Sequence, residues 1–191
     1  LDLGMGTTKI GLSDMNVREV FYDTIPVHNP KMDLQGSKIA SRIHSILNDA
    51  DLKIEKLRGI CLCLPGPING AEGNESAEQS PWKMETNQLI NEIMENFPAA
   101  MILSDRDVCL MALGEKIFGK GQGLENFISL KIGNRIAAGI ICHGQIYRGA
   151  SGFAGEIGHI VVDETGPLCQ CGKRGCLVAM VGGHAIAQAA E

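Results

Sequence analysis

The sequence predicts an α/β protein of two lobes, and three observations carry that prediction. Along the first 120 residues, short apolar runs of strand length alternate with amphipathic stretches of helical period. After Gly123 the texture changes to strand-like runs joined by glycine-rich turns. Between these regions lies the segment Gly119 to Gly123, which sets the expected boundary between a first lobe over 1–120 and a second over 121–191.

Each element follows from a local pattern. Leu1-Asp2-Leu3-Gly4 reads as the last part of a strand entering a glycine turn, with Ile10 to Leu12 and Val20 to Ile25 as short strands after it. From Leu34 to Leu47, Ile39, Ile43, Ile46 and Leu47 fall on one helical stripe. Arg58 to Leu64 is a buried-strand candidate that runs into the turn PGPING, and AEGNESAEQSP is acidic and polar, as a surface loop is. A second amphipathic helix sets Leu89, Ile90, Ile93, Met94 and Phe97 on its face. Ala100 to Leu103 is another strand, and a third helix ends near Gly119. Phe127 to Ile132 and Ile136 to Cys142 are strands, followed by a hairpin-like HGQIYRG. The end, HAIAQAAE, reads as the start of a helix. Both ends read as cut, so the expectation is part of a larger protein with an incomplete second lobe.

Composition narrows the function classes. The chain has 191 residues, 45% hydrophobic and 20% charged, enough to bury a core without disulfides. A formal charge of −5 argues against this chain itself gripping nucleic acid, which needs clustered Lys and Arg. No apolar run approaches the roughly 18 residues of a spanning helix, and no signal-peptide pattern opens the chain, so no membrane partner is expected. Seven cysteines is an odd count, with Cys61, Cys63, Cys109 and Cys142 in apolar segments where reduced, buried thiols are expected. That usage points to the cytoplasm.

Four motifs can carry chemistry. Cys169 and Cys171 flank one residue, and Cys176 follows across Gly172 and Gly175. With His159 as a fourth ligand they make a Cys3His zinc site, closed and therefore structural; the alternative is a buried cysteine cluster or a labile disulfide. The turn DLGMGTTKIGL, with Asp2, Gly4, Gly6, Thr7 and Thr8, can cradle a phosphate through backbone N–H groups, with Asp2 on a magnesium-bound water. A hairpin turn explains the same glycines. Asp105, after the strand AAMIL, is placed for general-base work on a hydroxyl, although Asp105 or Asp107 equally suits a helix cap. In GEIGH, Glu156 and His159 can hydrogen-bond a polyol, the alternative being a solvated Glu beside a purely structural ligand.

In this order the pieces resemble the ROK family of sugar kinases and sugar-responsive transcriptional repressors, most closely over GIICHGQIYRGASGFAGEIGHIVVDETGPLCQCGKRGCL. The resemblance implies an actin-like ATPase (ribonuclease H-like) fold of two α/β lobes with a sugar between them. It also implies zinc on His159, Cys169, Cys171 and Cys176. Sugar contacts carry over to Gly66, Ser104, Asp105, Glu156 and His159, with Asp105 as catalytic base in the kinases. Nucleotide phosphates, in a kinase using ATP and magnesium, would fall at Asp2, Gly4, Thr7 and Gly133. Family members usually self-associate, and regulators reach DNA through a winged-helix domain that this chain does not include.

Departures from the family pattern lean toward sensing. Met5 and Gly6 stand where the kinases carry glycine and then threonine. In GNRIAAG, Arg135 and Ala137 replace two glycines of the second phosphate loop. Ser104 replaces an Asn, Asp107 replaces another, and Val178 stands where a sugar-contacting Glu is usual. The resulting expectation is the sugar-sensing domain of a ROK-type regulator, with an active sugar kinase or a degenerate family member as alternatives.

Overall fold

The computed structural model describes residues 1–4, 6–27, 35–66 and 81–190. Most of the acidic segment foreseen as a surface loop, together with Met5, Leu34 and the later part of PGPING, lies outside the described residues. Two compact units divide the chain, Leu1–Asp107 and Val108–Glu191.

The first unit is built on a five-stranded sheet. Its strands are β1 (Asp2–Leu3), β2 (Thr7–Ser13), β3 (Glu19–Pro26), β4 (Gly59–Leu64) and β5 (Met101–Arg106). Their order is β3-β2-β1-β4-β5, antiparallel from β3 to β1 and parallel from β1 to β5. Parallel neighbours need long crossovers, and helices α1 (Gly36–Asp49) and α2 (Pro81–Asn96) supply them.

Strand alternation decides which residues enter the core. Leu3, Ile60, Leu62 and Leu64 face Ile39, Ala40, Ile43 and Leu47 of α1 and Leu89, Ile93 and Phe97. Met94, expected on the apolar face of α2, is instead 51% exposed, one position past the Leu89–Ile93–Phe97 stripe. The same alternation corrects the cysteines. Cys61 is exposed and Cys63 half-buried, because both project from β4 on the side away from the helices, whereas Cys109 is buried.

Helix α1 lacks a cap of its own, since Gln35 precedes it with no side-chain bond to its first turn. The cap comes from α2: the Ser37 N–H donates to Glu92 Oε2 at 3.0 Å. Gly36 permits the approach, because a Cβ there would lie 2.5 Å from Glu92 Cβ. Hydrogen bonds from Gln88 and from the α1 backbone hold the Glu92 carboxyl below its usual range.

The second unit begins with α3 (Asp107–Phe118), which opens one residue before it, and continues with an antiparallel sheet β6-β7-β8. These strands are Phe127–Ile132, Ile136–Cys142 and Gln145–Ile146. Helix α3 rests directly on β7 at Gly139, where a Cβ would lie 2.0 Å from the Val108 carbonyl oxygen. The division therefore falls a helix earlier than the Gly119–Gly123 segment. His143 and Gly144 have φ of 49° and 73°, the left-handed pair that a two-residue hairpin turn requires. Short helices α4 (Leu177–Val181) and α5 (Gly183–Ala189) end the described chain. Among the described residues no helix is long and apolar enough to cross a membrane.

One ion pair ties the hairpin to the helical layer. Arg42 of α1 donates through Nε and Nη2 to Asp23 Oδ2 of β3, the Nε contact at 2.8 Å. That hydrogen bonding, led by Arg42 and joined by the Thr24 N–H, holds the Asp23 carboxyl below its ordinary value near 3.8. Its contribution is therefore present at neutral pH and is lost as pH falls through the depressed folded-state value. Urea unfolding should find Arg42→Ala modestly less stable than the parent protein at pH 7, with the gap closing as pH falls through the depressed folded-state value of Asp23.

Candidate metal centre and ligand site

Strand β7 is the platform for the second unit's chemistry. The turn after β8 folds back along it, the Ala138 N–H donating to the Gly155 carbonyl at 2.7 Å. Gly155 has φ +88°, and a Cβ there would lie 1.9 Å from the Ala138 oxygen; at Gly158 it would lie 2.2 Å from the Ile136 oxygen. The two glycines of GEIGH are thus a steric condition for laying backbone on backbone. A single 3-10 turn, Ile157–His159, follows, with the His159 N–H donating to the Glu156 carbonyl at 3.1 Å. Glu156 and His159 are both fixed by that turn.

The knuckle continues from His159. Val161 bridges Cys176, Leu168 bridges Arg174, and the Cys169 N–H donates to the Lys173 carbonyl at 2.7 Å. Gly175, at φ +66°, lies so close to Asp163 that a Cβ would be 1.4 Å from its carbonyl oxygen. Asp163 in turn accepts the Thr165 hydroxyl and N–H, at 2.7 and 2.9 Å, and these bonds hold its carboxyl below the usual range.

This framework brings all four predicted ligands together. The ligand atoms of His159, Cys169, Cys171 and Cys176 lie within 4.8 Å of one another. Cys169 Sγ is 3.5 Å from His159 Nδ1, and Cys171 Sγ is 3.6 Å from Cys176 Sγ. A tetrahedral zinc with Zn–S bonds near 2.3 Å requires S···S edges of about 3.8 Å, so the donor set fits that ion. The thiols are free, which disfavours the disulfide alternative. Burial, followed by hydrogen bonding from its neighbours, pushes the Cys176 thiol up to about 11. At Cys171 burial opposes the thiolate, but the Lys173 N–H and the two neighbouring thiols outweigh it and leave this thiol below its usual range. Nδ1 faces the sulfurs, so a metal on Nδ1 leaves Nε2 as the ring's N–H donor.

Beside the knuckle lies a contact that sequence reasoning did not find. Arg135 Nη2 is 3.9 Å from Glu156 Oε2, with the side chains 36% and 16% exposed. In the sequence Arg135 stands out as the replacement of a phosphate-loop glycine and Glu156 as a polyol ligand or a solvated carboxylate, with no sign that the two meet. Nothing in their separation along the chain signals a pair; the β6–β7 turn creates it. The same turn is closed internally, the Gly133 N–H donating to the Arg135 carbonyl at 3.0 Å.

The first unit presents its own row of candidates. Register aligns Lys9 with Asp2, Asp2 with Cys63, and Cys63 with Asp105. Asp2 and Asp105 therefore share the sheet face opposite α1 and α2, at the carboxyl ends of parallel strands and about 10 Å apart across β4. Ser104, the neighbour of Asp105 on β5, projects to the other face by strand alternation. Asp105 Oδ1 accepts the Arg106 N–H at 2.8 Å, and Asp107 opens α3. The Gly4 turn is a hairpin connection whose Gly4 N–H is directed to the Thr7 carbonyl at 3.0 Å. Thr7 is exposed, but Thr8 is 2% exposed on the helix side, so its hydroxyl does not share the Asp2 face. Gly66 is buried at φ +94°, a conformation that favours glycine.

Comparison with known proteins agrees with this architecture. A family model described as the ROK family matches residues 1–191. The chain is 34% identical over 176 residues to the xylose repressor of Bacillus subtilis (strain 168), covering 92% of this chain and 45% of that protein. It is 41% identical over 191 residues to the glucokinase of Halalkalibacterium halodurans, covering 97% of this chain and 57% of that protein. The crystal structure of a ROK family transcriptional regulator, a homolog of the E. coli MLC protein, matches with a TM-score of 0.76 at 27% identity, over 98% of this chain and 47% of that one. The chain spans about half the length of the relatives it matches. The fold is the actin-like ATPase fold of ROK sugar kinases.

Two outcomes test the knuckle. Elemental analysis of protein purified without chelator should find about one equivalent of zinc, falling below about a tenth in Cys176→Ser, with a lower unfolding temperature. Gly155→Ala should cost about 2 kcal/mol or more in urea unfolding, because its Cβ meets a β7 carbonyl that has no room to move.

Proposed function

The chain belongs to the ROK family, and we propose that it is the sugar-sensing part of a ROK-type regulator. The observation that carries this reading is the state of the two phosphate turns. The Gly4 and Gly133 N–H groups, which a nucleotide phosphate would need, are directed to carbonyls within their own turns, at 3.0 Å each. At the second turn Arg135 also sets its guanidinium toward Glu156. The xylose repressor of Bacillus subtilis is a relative with a regulatory name.

In this reading Glu156 accepts hydrogen bonds from sugar hydroxyls and His159 donates through Nε2. The family resemblance would add Gly66 and Asp105 as further contacts, whereas Ser104 projects to the sheet face opposite Asp105 and does not join that set. Zinc on His159, Cys169, Cys171 and Cys176, closed by four protein ligands, supplies structural fixation of the knuckle. The work of His159 is orientation: with its ring held by Nδ1, a hydroxyl oxygen meets a fixed donor instead of a rotating one. DNA would be reached through a domain outside this chain, and a cytoplasmic homo-oligomer is part of the same proposal.

A second reading is a sugar kinase, favoured by the shared face of Asp2 and Asp105 and by a 41% identical glucokinase relative. There Asp105 would take the proton from the attacking hydroxyl, with ATP and magnesium on the Asp2 side.

Calorimetry with a panel of pentoses, hexoses and amino sugars, run beside a coupled ADP-release assay, separates the two. The sensing reading expects heat from at least one sugar, a loss of about tenfold or more in affinity in Glu156→Gln, and no turnover. Sugar-dependent ADP release that disappears in Asp105→Asn would instead establish the kinase.

A further inference from the structure

The Arg135–Glu156 contact has a consequence for the kind of sugar this site admits. Glu156 is the carboxylate that the proposed site offers to hydroxyls, and 3.9 Å away stands a guanidinium. The resembled family pattern has glycine at position 135 and a further carboxylate at 178. Here the same positions hold Arg135 and Val178, so the ligand meets one acid fewer and one cation more.

Position 178 belongs to the same neighbourhood as position 135. A Cβ built on Gly182 would lie 3.1 Å from Val178 Cγ2 and 3.2 Å from the Asn134 carbonyl oxygen. The Gly183 N–H donates to the Gly133 carbonyl at 3.0 Å, which pins the β6–β7 turn to the junction after α4. The backbone at Arg135 is therefore held by hydrogen bonds within its turn and to the junction after α4.

We propose, resting on the sugar-binding reading above, that Arg135 is a specificity-determining residue that makes this site prefer a sugar bearing an anionic group, a carboxylate or a phosphate ester, over the neutral sugar. A lone Glu156 would repel such a ligand. Arg135 neutralises that carboxylate, and one of its nitrogens faces Glu156 while the planar fork carries five N–H donors. The guanidinium matches the planar carboxylate and the phosphate oxygens through paired N–H donors, which an ammonium does not. Its side chain is 36% exposed, so a ligand can reach it, and replacing solvent there strengthens the charge-assisted bonds.

The test titrates the 191-residue protein with matched sets on one carbon skeleton: glucose, glucuronate and glucose 6-phosphate, then xylose and N-acetylglucosamine with their phosphate esters. On at least one skeleton an anionic form should bind about tenfold or more tighter than the neutral form at low salt. The ratio should shrink as salt rises from about 50 to 500 mM. It should collapse toward unity in Arg135→Gly and be partly retained in Arg135→Lys, with zinc content and unfolding temperature recorded for each variant to separate a lost charge from a lost fold. The uronate and phosphate arms tell which anion is meant. Neutral sugars binding as tightly as their anionic forms, or a ratio unmoved by Arg135→Gly, overturns this inference and leaves the sugar reading intact. Absence of heat from every sugar, neutral or anionic, overturns both.

Discussion

The second unit's chemistry depends on one close approach: the backbone of residues 155–158 lies flat against strand β7. No side chain fits between the two, since Gly155 and Gly158 each place a would-be Cβ about 2 Å from a β7 carbonyl. From that contact follow the position of Glu156, the 3-10 turn that carries His159, and the start of the knuckle that returns to His159 with three thiols. The β6–β7 turn, which belongs to the same strand, brings Arg135 to Glu156. One strand thus positions the carboxylate, its cation and the first residue of the candidate metal cluster.

The knuckle is held differently from the first unit. Around it Ile160, Val161, Val162 and Leu168 are all exposed, between 40% and 65%, while Cys169 and Cys176 are buried. Burial of apolar surface contributes little there, and short backbone bonds take its place around a His/Cys cluster that could hold a metal ion. In the first unit α1 and α2 cover a sheet face with eleven mutually packed buried residues. A domain with that core keeps its shape through the hydrophobic effect.

Legibility in the sequence followed the range of the interactions. Strands Phe127–Ile132 and Ile136–Cys142 were readable to the residue because apolar runs and turn glycines are local signals. The convergence of His159 with the three knuckle cysteines was readable because thiol and imidazole spacing is itself chemical information. Met94 and Cys61 were misplaced because a helical stripe or an apolar run does not say which side a neighbouring layer will cover. That Ser104 and Asp105 point to opposite faces was implicit in their adjacency, once Met101–Arg106 is a strand. The Arg135–Glu156 pair had no sequence signal, because its two residues meet only through a turn and a folded-back segment.

The cap of α1 bears on how this chain comes into being. Ser37 waits for Glu92, a partner 55 residues later in the sequence, before its N–H is satisfied within the protein. On a chain emerging from the ribosome, the start of α1 stays frayed until α2 has been made and has docked. The order of synthesis is thereby converted into an order of consolidation, in which the crossover between β4 and β5 closes a structure begun two elements earlier.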